Sequence, residues 1–101
     1  MRNIIIAAVS LGCVVSAHAE LGIASWYDHP RFKGLIAAHK TLPFGTRVKI
    51  TNLSNHRTTV VTIVDRGPYG KGRILDVSPL AANTLGFLRL GLANVTSEII
   101  R

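Results

Sequence analysis

Along the chain, short runs of β-branched and apolar residues alternate with breaks rich in glycine, proline or asparagine, and no run has the period or length of a long helix. Gly22 to Tyr27 reads as a strand, with Ile23 and Ser25 on one face and Ala24 and Trp26 on the other. Asp28 to Gly34 is polar, contains Pro30, and reads as a loop. A short apolar piece then leads into Ala37-Ala38-His39-Lys40-Thr41, and Leu42-Pro43-Phe44-Gly45-Thr46 carries strong turn chemistry. Arg47 to Thr51 alternates cleanly, sending Val48 and Ile50 to a core and Arg47, Lys49 and Thr51 to water. Asn52 to His56 suits a hairpin connection, and Thr58 to Val64 returns as a strand that is apolar or β-branched throughout, so burial on both faces is expected.

Arg73 to Val77 is a further strand. Ser78 followed by Pro79 offers an N-cap oxygen and a proline at the first helical position, Leu80 to Leu85 supplies one or two turns, and Gly86 the stop. Gly91 to Ile100 is a last strand with Val95 and Ile99 among its apolar positions. The pattern predicts a mainly β domain of about five or six short strands and one short helix.

The first residues belong to a different pattern. Arg2 is a positive n-region, Ile4 to Val15 an apolar h-region, and Ala17-His18-Ala19 a small-x-small cleavage site, so residues 1–19 read as a secretory signal and residues 20–101 as one domain. The apolar run is too short for a stable membrane span. Ser10-Leu11-Gly12-Cys13 has Ser where a lipobox has Leu, so cleavage after Ala19 is the reading adopted, with lipid anchoring through Cys13 the alternative. Export to the periplasm or medium follows. Cys13 is the only cysteine, so no internal bridge forms and packing must hold the domain together.

The chain of 101 residues carries a formal net charge of +7. For an exported protein, such a charge favours cell-wall polymers or anionic headgroups, and no aromatic-rich nucleic-acid signature accompanies it; solubility alone explains it equally well.

Chemistry concentrates where the run Val60 to Val64 ends at an acid. Asp65-Arg66-Gly67-Pro68 must turn sharply, and a carboxylate at such a strand end points into a groove. Gly67, Gly70 and Gly72 follow, without the spacing or the Lys-Ser/Thr pair of a phosphate-binding loop. His39 has no second His or Cys at ligand spacing, so no metal site and no cofactor is expected. Asp76 lies just before the helix start, which favours an ion pair with Arg66 or Arg73, or a turn-stabilising hydrogen bond, over catalysis. The candidate substrate-binding side chains are Trp26, His39, Arg66, Tyr69 and Arg73, with structural roles open for four of them: packing for Trp26, a hydrogen bond for His39, solvated loop charge for the two arginines.

Several blocks, in order, resemble one family. Gly22-Ile23-Ala24-Ser25-Trp26-Tyr27, the run from Ala37 to Val48, Thr51-Asn52-Leu53, Asp65-Arg66-Gly67-Pro68 and the run from Lys71 to Ser78 are similar to rare lipoprotein A, RlpA. The resemblance implies a six-stranded double-psi β-barrel of two interlocked halves, related in architecture to barwin and expansin domains, with Gly45 to Ile50 and Gly91 to Thr96 as candidate equivalents. It implies a lytic transglycosylase that cuts peptidoglycan glycan strands, peptide-poor strands by preference, to 1,6-anhydro ends, with Asp65 as acid and base.

One departure stands out. The family's Thr-Ala-Ser/Asn-Gly-Glu-x-Phe stretch is replaced by Asp28 to Ile36, and no Glu occurs between Glu20 and Glu98. The alternative is therefore a peptidoglycan-binding barrel that no longer cuts, and Asp28 is the acid expected to substitute if one does.

Overall fold

Each alternating run becomes a strand. The computed structural model describes residues 19–100, so the expected leader, with Cys13, lies outside the described residues except for Ala19. In chain order come β1 (Ala19–Trp26), β2 (Ile36–Ala38), β3 (Arg47–Asn52), β4 (Thr58–Asp65), β5 (Arg73–Val77), α1 (Pro79–Leu85) and β6 (Leu92–Ile99). β1 begins earlier than the pattern predicts, with Ala19 already paired to Glu98. The short apolar piece before Ala37 is β2.

The strands close in the order β1-β5-β2-β4-β3-β6. The β1·β5 and β2·β4 ladders are parallel and the other four antiparallel. Exchanging β1, β2 and β3 with β4, β5 and β6 maps this set of ladders onto itself, so the barrel is two interlocked halves. This is a double-psi β-barrel with one short helix. Gly45 and Gly91 occupy matching places ahead of β3 and β6, both at positive φ (+96° and +84°), a conformation that a Cβ resists.

The interior is filled by alternate residues. Val48 and Ile50 on β3, Val61 and Ile63 on β4, and Leu75 and Val77 on β5 are buried, while Arg47 and Lys49 are exposed. Burial of β4 is one-sided, which corrects the expectation: Val60, Thr62 and Val64 stay half-buried. A closed barrel has a single interior, and β-branched residues suit its pleated outer face without being covered. On β1, a register shift between Ile23 and Ala24 interrupts the alternation, and Ala24 and Ser25 are both buried.

The helix forms as its caps dictate. The Ser78 Oγ accepts from the Ala81 N–H at 3.2 Å, Pro79 opens the first turn, and Gly86 at φ +83° closes the last. Its buried face, Ala81, Ala82 and Leu85, completes the core. The Leu85 carbonyl, left without a helical partner, accepts from the Nδ2 groups of Asn52 (2.8 Å), at the end of β3, and Asn55 (3.0 Å), in the β3–β4 connection.

Candidate active site

Four strands bring four residues into one row. Ser25 on β1 pairs with Asp76 on β5, Asp76 with Ala38 on β2, and Ala38 with Asp65 on β4. Two interstrand steps, about 10 Å between Cα atoms, therefore separate Asp76 from Asp65, with Ala38 on the strand between them. Simple alternation would send Asp65 after Val61 and Ile63 into the core. A register shift at Ala37/Ala38 prevents this: Ala37 pairs with Ile63 but Ala38 with Asp65, so β4 spends an extra residue there and turns Asp65 onto the row.

Asp65 is held as an ionised acceptor. Its Oδ2 accepts from the Tyr27 hydroxyl at 2.7 Å, its Oδ1 from the Arg66 N–H at 2.8 Å, and His29 Nε2 lies 3.6 Å from Oδ2. The Tyr27 bond foremost, then the Arg66 amide, hold its carboxyl below the usual carboxylate range despite some burial, with the charge of Arg66 adding to the effect. Asp76 is pushed the other way. Burial is the largest cause, opposed by the Ser25 hydroxyl, which donates to Oδ1 at 2.9 Å, and by Arg73, while the Asp65 charge adds to the rise. Tyr27 is raised far above the usual phenol range, first by burial and then by its bond to Asp65 and that carboxylate's charge. The row thus holds one carboxylate biased to give up its proton and one biased to keep it.

Of the residues singled out in the sequence, Asp65 lies at the centre and Arg73 acts on Asp76 through its charge. Arg66 turns away: its Nη1 donates to the carbonyls of His39 (3.1 Å) and Leu42 (2.8 Å), and its guanidinium lies 4.3 Å from the Phe44 ring centroid. It braces the β2–β3 connection. His39 is buried, its Nδ1 accepting from the Thr41 and Leu42 amides (3.0 and 3.1 Å) and its Nε2 2.6 Å from Glu20 Oε1. Trp26 stands at the rim with its Nε1 donating to the Leu88 carbonyl at 2.9 Å, and Tyr69 is exposed on the loop past Asp65. Asp76 makes no ion pair with Arg66 or Arg73; its partner is the Ser25 hydroxyl.

Asp28 does not approach Asp65. It pairs with Lys33 at 2.9 Å on the wall of a cavity of about 310 Å³ that Phe32, Ser78 and Leu80 also line. The side chains that do approach are Tyr27 and His29, which the sequence pattern presents only as a strand residue and as part of a polar loop. A phenol directly past a strand end and an imidazole two residues on were the available signal. No group of three or more His, Cys, Asp or Glu side chains able to hold a metal ion occurs among the described residues.

A family model described as lytic transglycolase matches residues 19–97. The chain belongs to the RlpA family. A protein of Synechocystis sp. named "Probable endolytic peptidoglycan transglycosylase RlpA" is 47% identical over 93 residues, covering 79% of this chain and 29% of its own. The endolytic peptidoglycan transglycosylase RlpA of Pasteurella multocida is 42% identical over 99 residues, covering 85% of this chain and 33% of its own. This RlpA-family chain therefore spans about a third of the length of the curated relatives it matches. An expansin from Clavibacter michiganensis shares the fold, with a TM-score of 0.68 at 18% identity over 82% of this chain and 50% of its own. No helix among the described residues of this RlpA-family barrel is long and apolar enough to cross a membrane.

Proposed function

We propose that this chain is an exported lytic transglycosylase that cuts the glycan strands of peptidoglycan, preferring peptide-poor strands, with its acid–base chemistry on the Asp65–Asp76 row. The observation that carries the reading is the placement of two carboxylates on one row of the barrel, Asp65 accepting from the Tyr27 hydroxyl and the Arg66 amide and Asp76 from the Ser25 hydroxyl. The relatives' activity supports the reaction class.

In that reaction the C6 hydroxyl oxygen attacks C1 of the same sugar. The C1–O6 bond forms, the bond from C1 to the leaving oxygen breaks, and the hydroxyl proton is in effect passed to that oxygen, so no water is consumed. Asp65, poised as the carboxylate, takes the proton from O6. Asp76, whose carboxyl burial pushes upward, gives a proton to the leaving oxygen from its protonated form, and the proton on Asp65 restores it through solvent. The family resemblance implies the alternative in which Asp65 performs both steps, giving a proton to the leaving oxygen and then taking the one from O6. Trp26, Tyr69 and Arg73 are proposed to contact the glycan around this row.

A specific observation favours the second reading, a barrel that binds peptidoglycan without cutting it. Asp65 accepts from the next residue's backbone amide, as a plain turn-capping aspartate does. Incubation with peptide-free glycan strands, followed by mass analysis, separates the two. Release of 1,6-anhydro-ended fragments by the wild type, reduced about 10²- to 10⁴-fold in Asp65→Asn and in Asp76→Asn, supports the enzyme. Intact strands together with salt-sensitive pelleting on sacculi support the binder.

A further inference from the structure

The two nitrogens of the His29 ring are used differently. Nδ1 accepts from the backbone amides of Arg31 (2.9 Å) and Phe32 (3.0 Å), so it carries no proton and the hydrogen resides on Nε2. That one nitrogen suffices to hold the turn at residues 29–32. The ring is further fixed against Phe32, with centroids 5.0 Å apart, and edge-on to Tyr27 at 5.9 Å.

The Nε2–H is left over. The side chain is only 12% exposed, and Nε2 makes no hydrogen bond among the described residues; Asp65 Oδ2 at 3.6 Å is the acceptor it faces. A donor so nearly buried is costly to leave unspent, and a gap slightly beyond hydrogen-bond length closes with a small ring movement. Resting on the reading of Asp65 as the proton acceptor, we propose that His29 is a positioning residue: its Nδ1 is locked by the loop backbone so that its Nε2–H aims and steadies the Asp65 carboxylate while that group exchanges a proton with the glycan. His29 fills this role on the segment where a second acid was expected, and it does so by donation, not as an acid. The other groups facing Asp65 are Tyr27, the Arg66 amide and charge, and the carboxyl of Asp76.

Two substitutions separate the two nitrogens. His29→Asn keeps an oxygen where Nδ1 was, able to accept from the Arg31 and Phe32 amides, and deletes the Nε2–H. His29→Gln places an N–H near the old Nε2 and forfeits the cap. The measurements are the unfolding temperature, kcat and KM on peptide-free glycan, and the titration of the Asp65 carboxyl carbon by NMR. The expected result is an Asn variant with wild-type unfolding temperature, kcat lowered about 10- to 100-fold at unchanged KM, and Asp65 titrating at higher pH. The Gln variant, though less stable, recovers part of the kcat. An Asn variant with wild-type kcat and unmoved Asp65 titration, or a Gln variant no better than Asn, would overturn the proposal and leave His29 a turn cap. If the wild type itself releases no anhydro fragments but Asp65 still titrates higher in the Asn variant, the positioning of Asp65 stands and the enzymatic reading falls.

Discussion

His29 and His39 are wired alike and used differently. Each takes the backbone amides of the second and third following residues on Nδ1, and each turns Nε2 toward a carboxylate. At His39 the pair is closed: Nε2 lies 2.6 Å from Glu20, the ring is buried, and β1 is pinned to the β2–β3 connection. At His29 the pair stands open at 3.6 Å, and the carboxylate is shared with a phenol and a backbone amide. One local device thus makes a fastening in one place and an adjustable contact in the other. What differs is how many other donors compete for the carboxylate.

The sharpest way to break this comparison is stability. His39→Ala removes an acceptor from two amides in a buried site and breaks the contact to Glu20, so a loss of about 2–4 kcal/mol is expected, against about 1 kcal/mol for His29→Ala. Calorimetric unfolding that ranks the two equally would show that the fastening and the contact are the same thing. Next comes Tyr27→Phe, which removes the foremost cause of the lowered Asp65 titration. The acidic limb of the kcat/KM profile should move to higher pH, with about 1 kcal/mol lost in stability; an unmoved limb would mean that Tyr27 does not govern Asp65.

The smallest effects are those of pH on stability, and they carry opposite signs. Asp65 titrates lower in the folded protein than unfolded, so its contribution is present above the unfolded value and lost as pH falls through the folded one; Asp65→Asn should unfold with a flatter acid dependence. Asp76 titrates higher when folded, so wild type loses stability as pH rises from the unfolded value through the folded one. Asp76→Asn escapes that loss, and its stability relative to wild type should climb across the same interval. Urea denaturation at a series of pH values checks both, and slopes of the same sign would remove the division of roles on the row.

The strands and the helix were legible because their causes are local. Val48 and Ile50 alternate with charged neighbours, and Ser78, Pro79 and Gly86 mark the helix ends. Asp65 stood out for a local reason too, at the end of a β-branched run. Its companions did not, because Tyr27 lies 38 positions away in sequence and reaches it only through the order β1-β5-β2-β4. The burial that raises Asp76, and the extra residue on β4 that turns Asp65 outward, likewise depend on which strand lies beside which. Asp28 was the nearest acid by sequence to the replaced stretch, and its pairing with Lys33 shows how little sequence proximity decided.

The ladder pattern has one more consequence, for how the chain comes into being. Every ladder of the barrel joins one of β1, β2 and β3 to one of β4, β5 and β6; none lies within either half. A polypeptide emerging from its N-terminus therefore has no sheet to form until β4 arrives, and then only the β2·β4 and β3·β4 ladders before β5 and β6 follow. Up to that moment it is threadable, and afterwards it is closed with no free strand edge. A cut in the β3–β4 connection would leave two fragments that each lack a ladder of their own and can form the barrel only together.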